Sequence, residues 1–464
     1  MKRRDLIGAA GIGAAVVAMG PGAAAGAAKA TAAGATGARP LPKVPPVNPA
    51  GKLLVNKPRA YEVMARLGLD GLIAANPLNV YYLANTITLG VKFRSDPGGY
   101  ATLPRDPSQP SFFVCTTAET WDIANQEREI PETIFYTSAK PGQSPIPGVE
   151  PEANRPRDYA HVEGGPFTAR EQRWIAAQDK ANASVAPGAA WALVRALKRS
   201  GMTKGRIGVD DLRTKLMLDD IGFTGVTFVP ADDVFKLIRM VKTAPEIDLM
   251  RIAGHNNEAA AMAAMRRMQP GMRFADFENV FRQECADRGS MMTSIILGMP
   301  GGMTPDEEAV RSKPYIVDAV STFGEYSGDF ARTLVLGEPT KEILFRAKAN
   351  RMAREAVFEI IKPGVPFATL RDVAFNTMVK AGIPAQLVFV TPHSVGLSHS
   401  DQPFRLAGFD DKPIQHVLEE NMVLTIDLPY IEVGWGGGHN EDLFRVTRTG
   451  YEALNPESDP LVVV

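Results

Sequence analysis

Histidine and cysteine are scarce in this chain of 464 residues, with six of the first and two of the second. Two cysteines, Cys115 and Cys285, exclude a scaffold built on disulfides, and a pair of buried free thiols is the simpler reading. Charge of one sign is also missing. The 51 basic and 52 acidic residues leave a net charge of −1, so no excess charge favours nucleic acid or an anionic membrane surface. Beyond the N-terminal segment no apolar run is long enough to cross a bilayer, so no stable membrane span is expected. What is present is ordinary: 45% hydrophobic and 22% charged residues, enough for a large core. Two or three domains are expected at roughly 150 residues each.

The first residues read as an address, not as part of the fold. "MKRRDLIGAAGIGAAVVAMG" has a basic start and a weakly apolar Ala/Gly run, and small residues follow at "AGAAKA". Arg3 and Arg4 precede Asp5, Leu6 and Ile7 in the order of a twin-arginine signal. Residues 1–30 are therefore expected to direct folded protein to the periplasm or medium, with a Sec signal or an uncleaved anchor as the alternative. Residues 31–56 follow as a linker too rich in proline for helix or sheet.

From residue 57 helix and strand patterns alternate. "RAYEVMARLGL" has helical apolar spacing, and "DGLIAA", "PSFFVCT", "RIGVDD" and "VTFVPA" read as strands. "NPLNVYYLAN" reads as a turn and a second apolar segment, and the Pro/Gly-rich stretch from Lys140 to Phe167 as a long loop holding His161. This is an α/β layer over 57–240. Pro245 and Glu246 then open a long helix, on which His255 is expected to pack or cap. The remainder, 241–464, contains an internal repeat. Pro270, Gly271, Phe274 and Phe277 recur as Pro363, Gly364, Phe367 and Leu370, each between two helices. Two related α/β halves facing one another would enclose a cleft.

The acidic residues fall at strand ends. In "IVDAVSTFGEYSGDFARTLVLG", Asp318 closes one apolar strand and Asp329 opens its return. In "NMVLTIDLPYIEVGWGGGHNEDLFRVT", Asp427 ends a strand and Glu441 follows a Gly-rich turn. His393 opens "HSVGLSHSDQP", behind the strand-like "AQLVFVTP". Carboxylates aimed into a core are costly unless a positive charge neutralises them. Four oxygen donors and one nitrogen suit Mn, Fe, Co or Zn, and bridging carboxylates suit two such ions about 3.5 Å apart.

These residues resemble the creatinase, prolidase, aminopeptidase P and methionine aminopeptidase family. Asp318 and Asp329 keep that family's ten-residue gap. His393, Gly396, Leu397 and Pro403 match its "HGxGLxxHExP", and Glu441 matches the last ligand before "LFRVTRTGYEAL". "GLDGLIAANPLNVYYLAN" and "KTAPEIDLMR" match its N-terminal domain and junction. The resemblance implies an α/β (α+β) fold: a creatinase-like N-terminal domain at 57–240, then a pita-bread catalytic domain with pseudo-twofold repeat at 241–464. It also implies one or two divalent metal ions held by Asp318, Asp329, His393, Asp427 and Glu441. A homodimer and a short-peptide or small-molecule substrate are implied with them.

Four features depart from the family pattern. Its first glutamate is Asp427 here, shorter by one methylene. Its second histidine falls on Ser400, with His399 one residue early, and the histidine expected about seventeen residues before Asp318 is missing from "ILGMPGGMTPDEEA". His439 stands two residues before Glu441, where many members carry arginine. His399 is thus the expected acid/base group, His439 an expected substrate contact, and His416 structural. Three functions stay open: a hydrolase of an amide or other C–N bond, a metal-assisted lyase, and a binding protein without catalysis.

Overall fold

The computed structural model describes residues 54–464, except 94–98, 127, 144–145, 156–161, 299–305, 411 and 457–458. The expected export signal, most of the linker, and His161 lie outside the described residues. So does much of the stretch before Asp318.

The first helix, Lys57–Leu67, is set by its ends. The Asn56 side chain accepts from the Arg59 N–H, and Gly68 closes the helix at φ 64°. Beyond it lies a six-stranded mixed sheet: β1 (Gly71–Ala74), β2 (Tyr100–Pro104), β3 (Phe113–Thr116), β4 (Thr133–Tyr136), β5 (Gly205–Val209) and β6 (Val226–Pro230). Their spatial order is β4-β3-β2-β1-β5-β6. In "NPLNVYYLAN" the apolar segment is a helix, Pro77–Ala84, started by the Asn76 side chain on the Leu78 N–H. Cys115 on β3 and Cys285 are both buried and free.

Thr243 and Glu246 form a reciprocal capping box that starts the 23-residue helix Ala244–Arg266. His255 is exposed on it, so the expected packing role does not apply. The repeat is visible as two copies of helix, left-handed glycine, helix. Gly271 (φ 80°) separates Ala244–Arg266 from Phe274–Asp287, and Gly364 (φ 92°) separates Lys341–Phe358 from Phe367–Lys380. The paired apolar residues Phe274, Phe277, Phe367 and Leu370 are all buried.

Each copy feeds strands. The first gives β7 (Met291–Gly298), β8 (Pro314–Phe323) and β9 (Tyr326–Val335). The second gives β10 (Thr391–Ser394) and β11 (Val423–Asp427), and the C-terminus adds β12 (Tyr430–Glu432), β13 (Gly436–Gly438), β14 (Glu441–Asp442), β15 (Phe444–Val446), β16 (Tyr451–Ala453) and β17 (Leu461–Val463). One sheet runs β14-β9-β8-β7 with β17 also on β9, and another runs β10-β11-β15-β16. "AQLVFVTP" is not a strand up to Thr391; Ala385–Leu387 is a 3-10 turn after Pro384, Val388 makes one isolated bridge to Tyr430, and the strand itself is Thr391–Ser394.

The two α/β parts meet through buried polar groups. Arg239 Nη2 lies 2.5 Å from Asp401 Oδ1, and the fully buried Lys242 Nζ lies 3.5 Å from Asp401 Oδ2. The Asn56 side chain also donates to the Val241 carbonyl at 2.9 Å.

Candidate metal centre

The tight turn Gly324–Glu325, both at positive φ, reverses β8 into β9. Asp318 is opposite Ala331, and Ala331 is in turn opposite Glu441 on β14. Directly opposed residues point to one face of a sheet, and so do residues two apart on one strand. Asp318, Asp329 and Glu441 therefore share a face around the small Ala331. Both aspartates lie inside their strands, not at the ends as expected from sequence. Ten intervening residues with a two-residue turn place them diagonally across the ladder.

The facing sheet supplies the rest. His393 on β10 is opposite Thr425 on β11, two residues from Asp427, so these three also share a face. Thr425 Oγ1 donates to Glu441 Oε1 at 2.8 Å and ties the sheets together. His393 Nε2 lies 3.5 Å from Asp427 Oδ2, and 3.7 Å from both Asp329 Oδ2 and Glu441 Oε1. All five sequence-predicted ligands are thus brought to one place.

The loop after His393 is irregular backbone, fixed from behind. Asp401 donates its N–H to the Ser394 carbonyl at 2.7 Å, and its carboxylate is held by Arg239 and Lys242. A Cβ on Gly396 would collide with that carboxylate, which explains a glycine there. Asp401 is buried and paired on both carboxylate oxygens. In this bent backbone the one-residue offset of His399 is absorbed. Its Nε2 comes within 3.0 Å of Asp329 Oδ2, in reach but not aligned as a hydrogen bond, while half of the side chain stays exposed. The Asp329 carboxylate pushes the His399 imidazole up to about 9.

His439, expected at the substrate, lies inside the cluster. Its Nε2 is 3.5 Å from Asp427 Oδ1 and 4.0 Å from Glu441 Oε2. Thr333 Oγ1 accepts from the His439 N–H at 3.0 Å and donates to its carbonyl at 3.3 Å. His416 is remote from this site by its contacts; its Nε2 meets the Pro403 carbonyl at 2.7 Å and its ring packs near Phe367.

The electrostatics ask for a cation. Burial pushes the Asp318 carboxyl up to about 6 and Glu441 well above its usual range, with Asp329 and Asp427 adding to both. Burial pushes Asp427 up, but His439, His393 and Glu441 beside it together outweigh this and hold it low. Both Asp329 oxygens, Glu441 Oε2 and His439 Nε2 are buried without a hydrogen-bond partner among the described residues. Orphaned buried acceptors are rare and costly. Among the described residues three groups each bring their ligand atoms within 4.8 Å of one another: Asp329–His393–His399, His393–Asp427–Glu441 and Asp318–His439–Glu441. Carboxylate oxygen with imidazole nitrogen is a donor set for divalent transition metals, and the residues fit such ions.

Behind the carboxylates runs a network that the sequence analysis missed. Arg332, fully buried on the opposite face of β9, donates to the Glu441 carbonyl at 2.9 Å and the Ala331 carbonyl at 2.8 Å. Its Nη2 lies 2.5 Å from Asp442 Oδ1, and Arg354 pairs with the other Asp442 oxygen. The one signal in the sequence was an arginine inside the apolar run "DFARTLVLG".

Known proteins bear on this site. The sequence profile of metallopeptidase family M24 matches residues 248–448. The probable dipeptidase PepE of Mycobacterium tuberculosis is 30% identical over 248 residues, covering 52% of this chain and 65% of that relative. The Xaa-Pro dipeptidase of Pyrococcus furiosus is 27% identical over 235 residues, covering 49% and 66%. The chain therefore spans just under two thirds of these curated relatives in the matched segments. In solved structures, a dipeptidase from Pyrococcus horikoshii superposes with a TM-score of 0.64 at 17% identity over 88% of this chain and 99% of that one. The prolidase from Pyrococcus furiosus gives 0.60 at 20% over 86% and 99%. The lyase reading finds no support in these relatives. Residues 248–448, which carry the strands of the cluster, thus match metallopeptidase family M24, and the chain shares the prolidase-type pita-bread fold behind an N-terminal α/β domain.

Proposed function

We propose that the protein is a metal-dependent dipeptidase of short peptides, with Xaa-Pro dipeptides as its substrate class. The observation that carries this is the convergence of Asp318, Asp329, His393, Asp427 and Glu441 from facing sheets, with buried donor atoms left unpartnered among the described residues. A divalent ion there, of Mn, Fe, Co or Zn, supplies the Lewis acidity that polarises an amide carbonyl and makes water nucleophilic near neutral pH. The chain's own residues do the rest. Thr425 orients Glu441, and the buried faces of β8 and β9 exclude bulk water from one side of the cluster.

His399 stands at the half-exposed edge with its imidazole over Asp329, where it can pass a proton to a leaving amine. Asp329 alone favours the protonated form; a cation among the carboxylates offsets that pull and returns the imidazole toward its ordinary range. His399→Ala should lower kcat by about 10²-fold and leave the melting temperature within a degree or so, because the side chain is half exposed. Unchanged kcat would remove His399 from the reaction.

The assay for the whole reading is a panel of Xaa-Pro and other dipeptides with purified, metal-supplemented protein. Release of both amino acids, with one solvent oxygen entering the new carboxylate, is the expected result. No cleavage of any dipeptide would overturn it.

Export through the twin-arginine route is part of the same proposal, supported by the order of Arg3, Arg4, Asp5, Leu6 and Ile7. Replacing both arginines with lysine should leave precursor in the cytoplasm. Undiminished secretion of that variant would contradict it.

A further inference from the structure

We propose that His439 is itself a metal ligand, so that the cluster has an imidazole at each of two adjoining metal positions. The inference rests on the metal-dependent reading above. The five-ligand set contains one nitrogen donor, His393, and does not include His439.

Four observations converge on His439. Its side chain is only 4% exposed, and its Nε2 has no hydrogen-bond partner among the described residues. A buried imidazole nitrogen left unpaired is costly, and a metal ion is one of the few partners that could satisfy it among carboxylates. Its Nε2, one oxygen of Asp318 and one of Glu441 lie within 4.8 Å of one another. That is close to the limit of about 4.4 Å for ligand atoms around a single ion with metal–ligand bonds of about 2.0–2.2 Å. Its backbone is clasped at both N–H and carbonyl by Thr333, so the ring is presented from a fixed position.

The arrangement around Asp427 supports the pairing. Asp427 Oδ2 lies 3.5 Å from His393 Nε2, and Oδ1 lies 3.5 Å from His439 Nε2. One short carboxylate thus sits between two imidazoles. Glu441 belongs to both donor groups, His393–Asp427–Glu441 and Asp318–His439–Glu441, so it is placed to bridge. Two imidazoles also move the donor set away from the all-oxygen preference of Mn toward Co, Zn or Fe.

Cobalt(II) alone is the probe. The full protein, stripped of metal and dialysed against fixed free Co(II), should bind two equivalents. In paramagnetic proton NMR, an imidazole N–H on a Co(II)-ligating ring is strongly shifted and disappears in D₂O. His393 alone gives one such resonance, and His439 adds another. His439→Ala should lose one resonance and weaken the second equivalent at least about tenfold, a loss known even for residues that only support a metal ligand. His439→Gln is the companion variant should the alanine form fail to fold. Binding of no metal by the parent protein would sink the metal-dependent reading itself. Two bound ions with a single shifted imidazole resonance in the parent would overturn only the role of His439. Unchanged resonances and unchanged second-site affinity in a folded variant would do the same.

Discussion

Replacing Asp329 with alanine should abolish activity and, in the absence of metal, leave the protein as stable as its parent or more so. The two effects have one cause. Asp329 Oδ2 faces His393 at 3.7 Å and His399 at 3.0 Å, and its charge raises the carboxyls of both Asp318 and Glu441. Without a cation, removing one member of a crowded acidic group relieves repulsion. With a cation, the same residue would serve as a ligand. Free metal at about a hundredfold over Kd should stabilise the parent by about 2.7 kcal/mol, and the Asp329→Ala protein by far less. Melting curves with and without metal, beside dipeptide turnover, decide it. A variant that keeps both the metal-dependent shift and measurable turnover would show that Asp329 is no ligand. Glu441→Ala should behave alike, since Glu441 Oε2 is equally buried and unpartnered among the described residues.

Arg332→Met should be the most destabilising change near the site. Arg332 is fully buried, with Asp442 at 2.5 Å and the Glu441 carbonyl at 2.9 Å. Methionine has comparable length but leaves the buried Asp442 with Arg354 and the Asn455 amide alone. Breaking a buried ion pair from one side costs about 3–5 kcal/mol. It also unties β14 from β9 at the position of Glu441, so metal affinity should fall as well. Urea unfolding with an unchanged slope and a lowered midpoint is the expected result. A loss below about 1 kcal/mol would mean that Arg354 carries Asp442 unaided.

The residues of the candidate metal centre were legible in the sequence because the motifs fix both residue type and spacing. The ten-residue gap from Asp318 to Asp329 is what a ten-residue strand and a two-residue turn require to bring both carboxylates to one face. The repeat was legible for a similar reason, since Gly271 and Gly364 occupy conformations that other residues avoid. His439 was visible as a residue but not as a neighbour. Its place depends on the Gly436–Gly438 strand lying flat against β8, where a Cβ on Gly437 would strike Ile316. The Arg239–Lys242–Asp401 cluster was hidden because Asp401 lies 162 and 159 residues from its two partners, and no local pattern announces a buried ion pair of that separation. His255 was misjudged because helical spacing gives periodicity but not which face a single polar residue takes.

Metal content and dipeptide hydrolysis, measured on the same purified preparations across a chelator titration, test the metal-centred function most directly. One to two equivalents of Mn, Fe, Co or Zn per chain should be present, with turnover falling in proportion as metal is withdrawn and returning when it is restored. Full activity in protein shown by elemental analysis to be free of transition metal would contradict it.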